Sequence, residues 1–381
     1  MSLEDSIRRD MPDPQAFSYA NYAAYVVGAN DAMRLKLKQF FEEIDFENII
    51  RKRIGRAGGD ARALQYSLFN IGSDGRNEKG PTSPHDILLL TKSDKLKAQG
   101  ALQTSLDKTM SSLFVRANNL VLDRNGKRYA TGAHRIFSDF EAKSLDADHM
   151  YAYKQQPDAS WPSRIIDADI IMPNGKHLLT EAKSKLIREA ITEGPGAIGT
   201  KMRSREKDKL KKHAKILTTG RNSMRGEEVE HFNIEEGVAH YNLSDEIHGV
   251  TQTSFKQGPL RLVQTAVVLK LLDTFRDPEN SPEYSEELLS EMETQTTRKL
   301  SYLHAMGITE VSTEVMADLI DNYMYFLWLF HQSEYQYYAN RNSAVPFDRA
   351  EVSERLEDVI NGVSEFLNEG RTAKKERIVL G

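Results

Sequence analysis

The amino-acid sequence predicts an α+β protein in which a mixed sheet flanked by helices is followed by an all-helical bundle. Short apolar runs bounded by turn residues, the pattern of strands, lie before about residue 200. Beyond that point, long stretches repeat apolar residues every three or four positions, which is the pattern of helices. The length of 381 residues favours two to three domains. We place the limits of the segments at 1–57, 58–200, 201–250 and 251–381.

Composition and charge narrow the classes of protein to which the chain can belong. It has no cysteine, so disulfides, zinc–thiolate sites and cysteine nucleophiles are excluded. Its net charge of −5 disfavours a nucleic-acid partner bound over a uniformly basic surface. No apolar run approaches the roughly 20 residues of a membrane-spanning helix, and the polar N-terminus lacks an apolar signal sequence. We expect a cytoplasmic protein without a membrane partner, although a substrate of a specialised secretion system would look the same.

The first helical pattern runs from Ala16 to about Arg53. Gly28 and Asn30 interrupt it, so we expect two helices with the break at these residues. The tyrosines of the first part fit either core packing or a ligand surface, and core packing is the favoured interpretation. The apolar stripe consists of Tyr19, Tyr22, Ala23, Val26, Val27, Leu37, Phe40, Phe41 and Ile44.

The predicted strands lie in the next segment, together with one helix. Leu64–Ile71 and Asp86–Leu90 are short apolar runs, and we expect them to be neighbours in one sheet. Between Leu120 and Tyr129, the residues Asp-Arg-Asn-Gly predict a hairpin turn. The remaining elements of the segment are a helix over Lys95–Asn118 and a strand over Arg164–Met172 that ends in a Pro-Asn-Gly turn.

Helices dominate the rest of the chain. Leu260–Leu272 is apolar on most faces, which is typical of a helix buried on all sides. The other predicted helices cover Lys176–Ala190, Ser285–Ala305, Ser312–Tyr338 and Val352–Leu367, the last with apolar residues recurring every three or four positions.

The stretch Phe69–Leu90, with the sequence FNIGSDGRNEKGPTSPHDILLL, carries the most informative motif. A strand ends in Gly-Ser, a polar loop follows, and an aspartate opens the next strand. This pattern resembles the polymerase-β-like nucleotidyltransferase superfamily, and in particular the branch of protein uridylyltransferases and adenylyltransferases. The matching positions are Gly72, Ser73, Gly75, Arg76, Glu78, Ser83 and Asp86.

The resemblance implies a nucleotidyltransferase-like domain that binds a nucleoside triphosphate and a divalent cation, Mg²⁺ or Mn²⁺. The Gly72-Ser73 turn would hold phosphates, since a Cβ there would obstruct their approach. Arg76 would contact the triphosphate or brace the loop. The implied reaction is transfer of a nucleoside monophosphate to a hydroxyl of a protein or a small molecule.

Carboxylates from adjacent strands would hold the cation, because Mg²⁺ takes oxygen ligands. The resemblance assigns this role, and the catalytic role, to Asp86 with Asp167 or Asp169. The spacing of two places Asp167 and Asp169 on one face of the predicted strand. We expect about 4–6 Å between the carboxylate of Asp86 and one of theirs, and therefore a raised pKa for at least one of these groups.

Pro84 departs from the pattern of the branch, which has an aspartate at this position. Two alternatives stay open: Asp74 or Glu78 replaces the missing ligand from the loop, or a catalytically degenerate domain acts as a nucleotide sensor or protein-interaction module. The adjacent His85 falls on the opposite strand face from Asp86. We expect either slow transfer with Mn²⁺ more effective than Mg²⁺, or nucleotide binding without turnover.

A second resemblance to the same branch lies downstream, at Lys256, Gly258, Leu260 and Arg261. It implies a nucleotide-binding role for Lys256. The alternative is an ordinary helix start with a proline in the first turn.

The segment Lys201–Lys215 concentrates positive charge, with eight Lys or Arg against two acidic residues. Two interpretations stay open: a clamp on phosphates or an acidic partner, and a solvated helix face, which is favoured. We expect an exposed helix that faces the same cleft as Ser73, preceded by a hinge over Gly194–Gly199. The sequence contains no zinc-ligand spacing of histidines, no Gly-x-Ser-x-Gly motif and no phosphate-binding loop of the Gly-x-x-x-x-Gly-Lys type.

Overall fold

A computed structural model describes most of the helices and the central sheet. The described residues are 19–43, 45–56, 65–80, 85–92, 121–122, 128–129, 137–145, 152–153, 156–157, 161–172, 175–219, 221–224, 227–230, 237–239, 255–340 and 345–368. The helix predicted for Lys95–Asn118, and Ser83 and Pro84 of the motif, lie outside these ranges. Within these ranges, every helix is too short or too polar to span a lipid bilayer.

The elements follow one another as a mixed α/β half and a helical half. The first half contains α1 (Tyr19–Glu43), α2 (Phe46–Arg56), β1 (Gln65–Asn70), α3 (Gly72–Gly75), β2 (His85–Lys92), β3 (Val121–Leu122), β4 (Arg128–Tyr129), β5 (Phe137–Ser144), β6 (Ala152–Tyr153), β7 (Gln156–Pro157), α4 (Trp161–Ile166), β8 (Asp169–Ile170) and α5 (Lys176–Ala190). The second half contains α6 (Ile198–Thr219), β9 (Arg221–Met224), β10 (Glu227–Glu230), β11 (Val238–Ala239), a π-helical turn (Lys256–Leu260), α7 (Arg261–Arg276), α8 (Pro282–Glu291), α9 (Thr296–Ala305), α10 (Thr313–Asn340), β12 (Val345–Pro346) and α11 (Arg349–Asn368).

These elements form two compact units. Among the described residues, the first unit contains 24–189, and the second contains 190–381 together with the start of α1 up to residue 23. The predicted α+β class is confirmed, since a sheet with helices precedes a helix-rich half.

The first unit is built on a four-stranded sheet with the strand order β5-β2-β1-β8. β1 pairs antiparallel with β2 and with β8, whereas β2 pairs parallel with β5, so the sheet is mixed as predicted. The predicted pairing of the first two strands is confirmed, with Leu68 opposite Leu89. Four consecutive apolar residues of β2, Ile87–Leu90, are fully buried, as expected for a strand covered on both faces.

Two predictions for this half are wrong. α1 continues through Gly28 and Asn30, and the chain turns only at Asp45, which has a positive φ of 50°. A single exposed glycine costs a helix only about 1 kcal/mol, which the packing of Val26 and Leu37 offsets.

The strand predicted over Arg164–Met172 is also wrong. Residues 161–166 form α4, and only Asp169–Ile170 pair with β1. Among the described residues, ladder pairing of this segment with β1 begins only at Asp169, and Ile165 and Ile166 are buried as side chains of the short helix. The hairpin around residues 121–129 is confirmed by the antiparallel pairing of β3 with β4, and α5 matches its predicted range.

α7 is the central helix of the second unit. It is buried on nearly all sides, as predicted, and packs against α6, α8, α9 and α11. The single helix predicted over Ser285–Ala305 is wrong, because Met292 adopts an extended conformation and separates α8 from α9. Side chains of Ser281, Ser312 and Asp348 accept hydrogen bonds from the first turns of α8, α10 and α11, which fixes where these helices begin.

Candidate functional site

The Gly72-Ser73 turn lies at the end of β1, directly beside the start of β2. Gly72 has a positive φ of 63°, a conformation that favours glycine. A Cβ added there would lie 3.2 Å from Oδ2 of Asp86, so the carboxylate of Asp86 approaches the backbone of the turn. The amide of Ile71 donates to the carbonyl of Asp86 over 3.0 Å, which fixes the two strand ends together. Gly72, Ser73 and Asp86 are all partly exposed.

A buried network of ion pairs holds this turn in place. Nη1 of Arg76 donates to Oδ2 of Asp167 over 2.6 Å, and its Nε donates to Oε2 of Glu78 over 2.9 Å. The three side chains are at most 6% exposed. Arg76 therefore braces the loop, which was one of its two expected roles, and Asp167 is a partner of that arginine.

A second buried group joins the turn to β2. Asp74 accepts hydrogen bonds from Nδ1 of His85 over 2.8 Å and from the amide of Asp86 over 3.3 Å, and Nζ of Lys79 lies 3.8 Å from its other oxygen. Burial lowers the pKa of His85, so its ring is neutral at neutral pH with the proton on Nδ1. Burial alone would raise the pKa of Asp74, but His85, Lys79 and the amide of Asp86 together hold it below its ordinary value.

Gly75 shows how closely the turn packs against the segment that carries Asp167. A Cβ at this position would lie 1.9 Å from the carbonyl oxygen of Asp167, so only glycine fits. The matched glycine of the motif is therefore a packing residue.

Asp169 lies on the other side of β1 from Asp86. On one side of β1, Asp169 of β8 is paired with Asn70. On the other side, Ile87 of β2 is paired with Asn70, and Asp86 directly precedes Ile87. Two strand spacings correspond to about 10 Å between their backbones. Asp169 is paired with Arg34, which also donates to Asn77. Burial raises the pKa of Asp169 despite the nearby Arg34, so the expected raised pKa is present with a different cause.

Asp167 and Asp169 thus do not share a strand face as expected. Asp167 follows α4 and contacts Arg76, whereas Asp169 opens β8 and contacts Arg34. The proximity of either carboxylate to that of Asp86 stays a prediction. Among the residues that the structure describes, no group of three or more histidine, aspartate or glutamate side chains is arranged as a metal site.

The parallel pairing of β2 with β5 brings in an aspartate, Asp139, that the sequence motifs did not indicate. Asp139 is the register partner of Asp86. The segment Phe137–Ser144 has a polar residue at every second position from Asp139 onward, and this alternation is the signal that could have indicated a strand.

Lys256, the last of the predicted binding residues, belongs to the second unit and opens the π-helical turn. Its Nζ lies 5.4 Å from the centre of the Phe330 ring, a cation–π distance. The buried Gly258, Pro259 and Leu260 confirm that this motif begins a helix packed into the core. The nucleotide-binding role of Lys256 stays a prediction.

Comparison with known proteins adds no family assignment. The sequence matches no protein-family model and no curated protein.

Proposed function

We propose that the first unit binds a nucleoside triphosphate at the Gly72-Ser73 turn and transfers its nucleoside monophosphate to a hydroxyl group. In this reaction the hydroxyl oxygen forms a bond to the α-phosphorus, the bond from that phosphorus to the oxygen of the β-phosphate breaks, pyrophosphate leaves, and the hydroxyl proton passes to solvent. The observation that carries this proposal is the approach of the Asp86 carboxylate to a glycine turn with positive φ at the end of β1. A backbone without a Cβ admits phosphate oxygens, and a carboxylate beside it provides an oxygen ligand for the accompanying cation.

The buried network favours this function because it holds the turn in place before any ligand binds. Arg76 and Asp74 fix the loop from inside the unit, while Ser73 and Asp86 remain partly exposed. Such preorganisation lowers the cost of ordering the loop on binding.

The residues that we propose to hold Mg²⁺ or Mn²⁺ are Asp86 and Asp139. Asp139 is in register with Asp86 on the neighbouring strand. Asp167 and Asp169, the ligands that the resemblance implies, each form an ion pair with an arginine. When bound, the cation would neutralise charge on the triphosphate. The side chains of the site position the nucleotide, and the identity of the acceptor hydroxyl is left to experiment.

Binding is tested with a fluorescent nucleoside triphosphate in the presence of Mg²⁺ or Mn²⁺. We expect Asp86→Asn and Asp139→Asn to weaken binding at least about tenfold, since each removes a charged ligand of the cation. Gly72→Ala should do the same by placing a Cβ beside Asp86. Asp318→Asn, which removes an exposed carboxylate in the second unit, is the control. Unchanged binding by Asp86→Asn and Gly72→Ala would overturn the proposal.

Transfer is tested separately with radiolabelled nucleoside triphosphates and a cell lysate as the source of acceptors. Label that appears on an acceptor with the wild type and is lost with Asp86→Asn supports the transfer reaction.

A second candidate function, a nucleotide sensor, is favoured by Pro84, which replaces an expected metal ligand. Tight nucleotide binding without any labelled acceptor would support the sensor over the transferase.

A further inference from the structure

One face of α6 exposes cations that the second unit does not neutralise. The opposite face is buried through Met202, Leu210 and Ile216. Two of the basic residues nearer the core are paired, Arg203 with Asp273 and Lys209 with Glu206. Within the described ranges, four others contact no carboxylate, and we call them the cationic stripe: the exposed Lys201, Lys211 and Lys212 and the half-buried Arg205.

α11 of the same unit has the opposite character. Its inner face is buried through Val352, Val359 and Phe366. On its exposed side, Glu351 is paired with Arg355. Four further carboxylates contact no cation among the residues that the structure describes, and we call them the acidic stripe: Glu354, Glu357, Asp358 and Glu365.

The two stripes match in length and have four charges each. The exposed face of α6 also carries Asp208 and Lys215, whose opposite charges cancel. Lys201 to Lys212 and Glu354 to Glu365 each cover eleven helical steps, or about 16 Å. The exposed face of α6 carries no large apolar or aromatic residue, so it lacks the anchors of a membrane-surface helix and the stacking groups of a single-strand nucleic-acid site. A partner would therefore be recognised by charge alone.

We propose that a second copy of this chain is that partner, with the cationic stripe of one copy lying on the acidic stripe of the other. Complementary charges of equal number and extent support this occupant. A two-fold arrangement forms the same contact twice, because each copy contributes both stripes. Exposed ion pairs are weak and screened by salt, so the dimer forms at high protein concentration and dissociates as ionic strength rises.

The experiment measures the mass of the full chain by sedimentation equilibrium. For the wild type, we expect dimers in about 50 mM NaCl and at least about tenfold weaker association in about 500 mM NaCl. Reversing all four charges of the cationic stripe to Glu, or all four of the acidic stripe to Lys, should give monomers at both salt concentrations. The matched control reverses four exposed cations elsewhere, by Lys52→Glu, Lys176→Glu, Arg188→Glu and Arg298→Glu, and should dimerise like the wild type.

An equimolar mixture of the two stripe variants is the decisive sample, since each variant then presents the charge that the other lacks. Circular dichroism confirms that both variants are folded. We expect the mixture to form dimers with the salt dependence of the wild type. A monomeric wild type in low salt, or a mixture that stays monomeric, would falsify the proposal. Binding of a monomeric wild type to phosphatidylserine vesicles or duplex DNA would equally overturn it and assign the cationic stripe to that ligand.

Discussion

At the scale of single residues, buried charged side chains of the first unit pair with both near and distant positions of the chain. Arg76 binds one carboxylate two positions away and another 91 positions away. Burying such a group is favourable only when its partners satisfy it, because an unpaired buried charge is costly. The network therefore joins the Gly72–Gly75 turn to the segment before β8, and its loss should lower the free energy of unfolding.

We predict that Arg76→Ala lowers the free energy of unfolding of the first unit by about 3 kcal/mol, since Asp167 and Glu78 would remain buried without this cation. The chain has two tryptophans, and a Trp328→Phe background leaves Trp161 as the fluorescent reporter of the first unit. Urea unfolding in this background measures the change.

Arg188→Ala, which truncates an exposed arginine on α5, is the control and should stay within about 0.5 kcal/mol of the background protein. An unfolding midpoint of Arg76→Ala equal to that of the background would show that the network contributes nothing to stability.

At the scale of elements, α1 and α6 show how tertiary contacts decide where a helix ends and what it binds. α1 passes through an exposed glycine without interruption, and a Cβ at Gly28 would meet no atom within 4 Å. α6 meets the π-helical turn through His213, whose Nδ1 donates to the carbonyl of Gln257 over 2.6 Å.

Gly28→Ala should raise the free energy of unfolding by about 0.5–1 kcal/mol, because alanine loses less backbone entropy in a helix. Thermal unfolding followed by circular dichroism measures the shift. A lower melting temperature would contradict the continuous helix and would restore the break that the sequence pattern indicated.

The stability of the second unit should depend on the ionisation of His213. Burial is the main reason why the pKa of His213 falls to about 4, and Arg261, Lys212 and Lys209 lower it further. Because the folded pKa lies below the unfolded value of about 6.5, the unfolded chain binds the proton first as the pH falls. The stabilisation is therefore present above pH 6.5 and is lost progressively down to about pH 4.

His213→Asn keeps a donor for Gln257 and removes the titration. We predict that between pH 7 and pH 4 the wild type loses on the order of 2 kcal/mol more than this variant. Urea unfolding of both proteins at several pH values measures the difference, and other titrating groups such as His85 cancel in the comparison. Parallel pH profiles would show that His213 does not contribute.

At the scale of the whole molecule, charge is segregated between elements of the second unit. The Lys201–Lys215 segment is helical, as predicted, but it is exposed on one face only, with five of its fifteen residues buried on the other. Its expected position in the same cleft as Ser73 stays a prediction. A clamp on phosphates and the contact between copies proposed above differ in what they predict for nucleotide affinity.

If α6 serves association between copies, reversal of the cationic stripe should leave the affinity for the fluorescent nucleotide unchanged while it abolishes dimers. If α6 clamps phosphates instead, the same variant should weaken nucleotide binding, and the loss should shrink as salt is added. A titration of the variant in low and high salt distinguishes the two results.

The sequence by itself determined the α+β class, the paired strands around the Gly-Ser turn, the bounds of α5 and the buried helix α7. These features depend on local periodicity and on turn residues, which act over a few positions. It also indicated the residues of the turn, but it left the role of Arg76 open and placed Asp167 and Asp169 on one strand.

Only the tertiary structure decided which partners these residues have. The buried ion pairs of Arg76, the pairing of Asp169 with Arg34 and the parallel register that places Asp139 opposite Asp86 all join segments far apart in the chain. Local patterns carry no information about such pairings, because they depend on how sheet strands are ordered and on the need of buried charges for partners. Residues 164–166, which the sequence pattern placed at the start of a strand, are instead the end of α4.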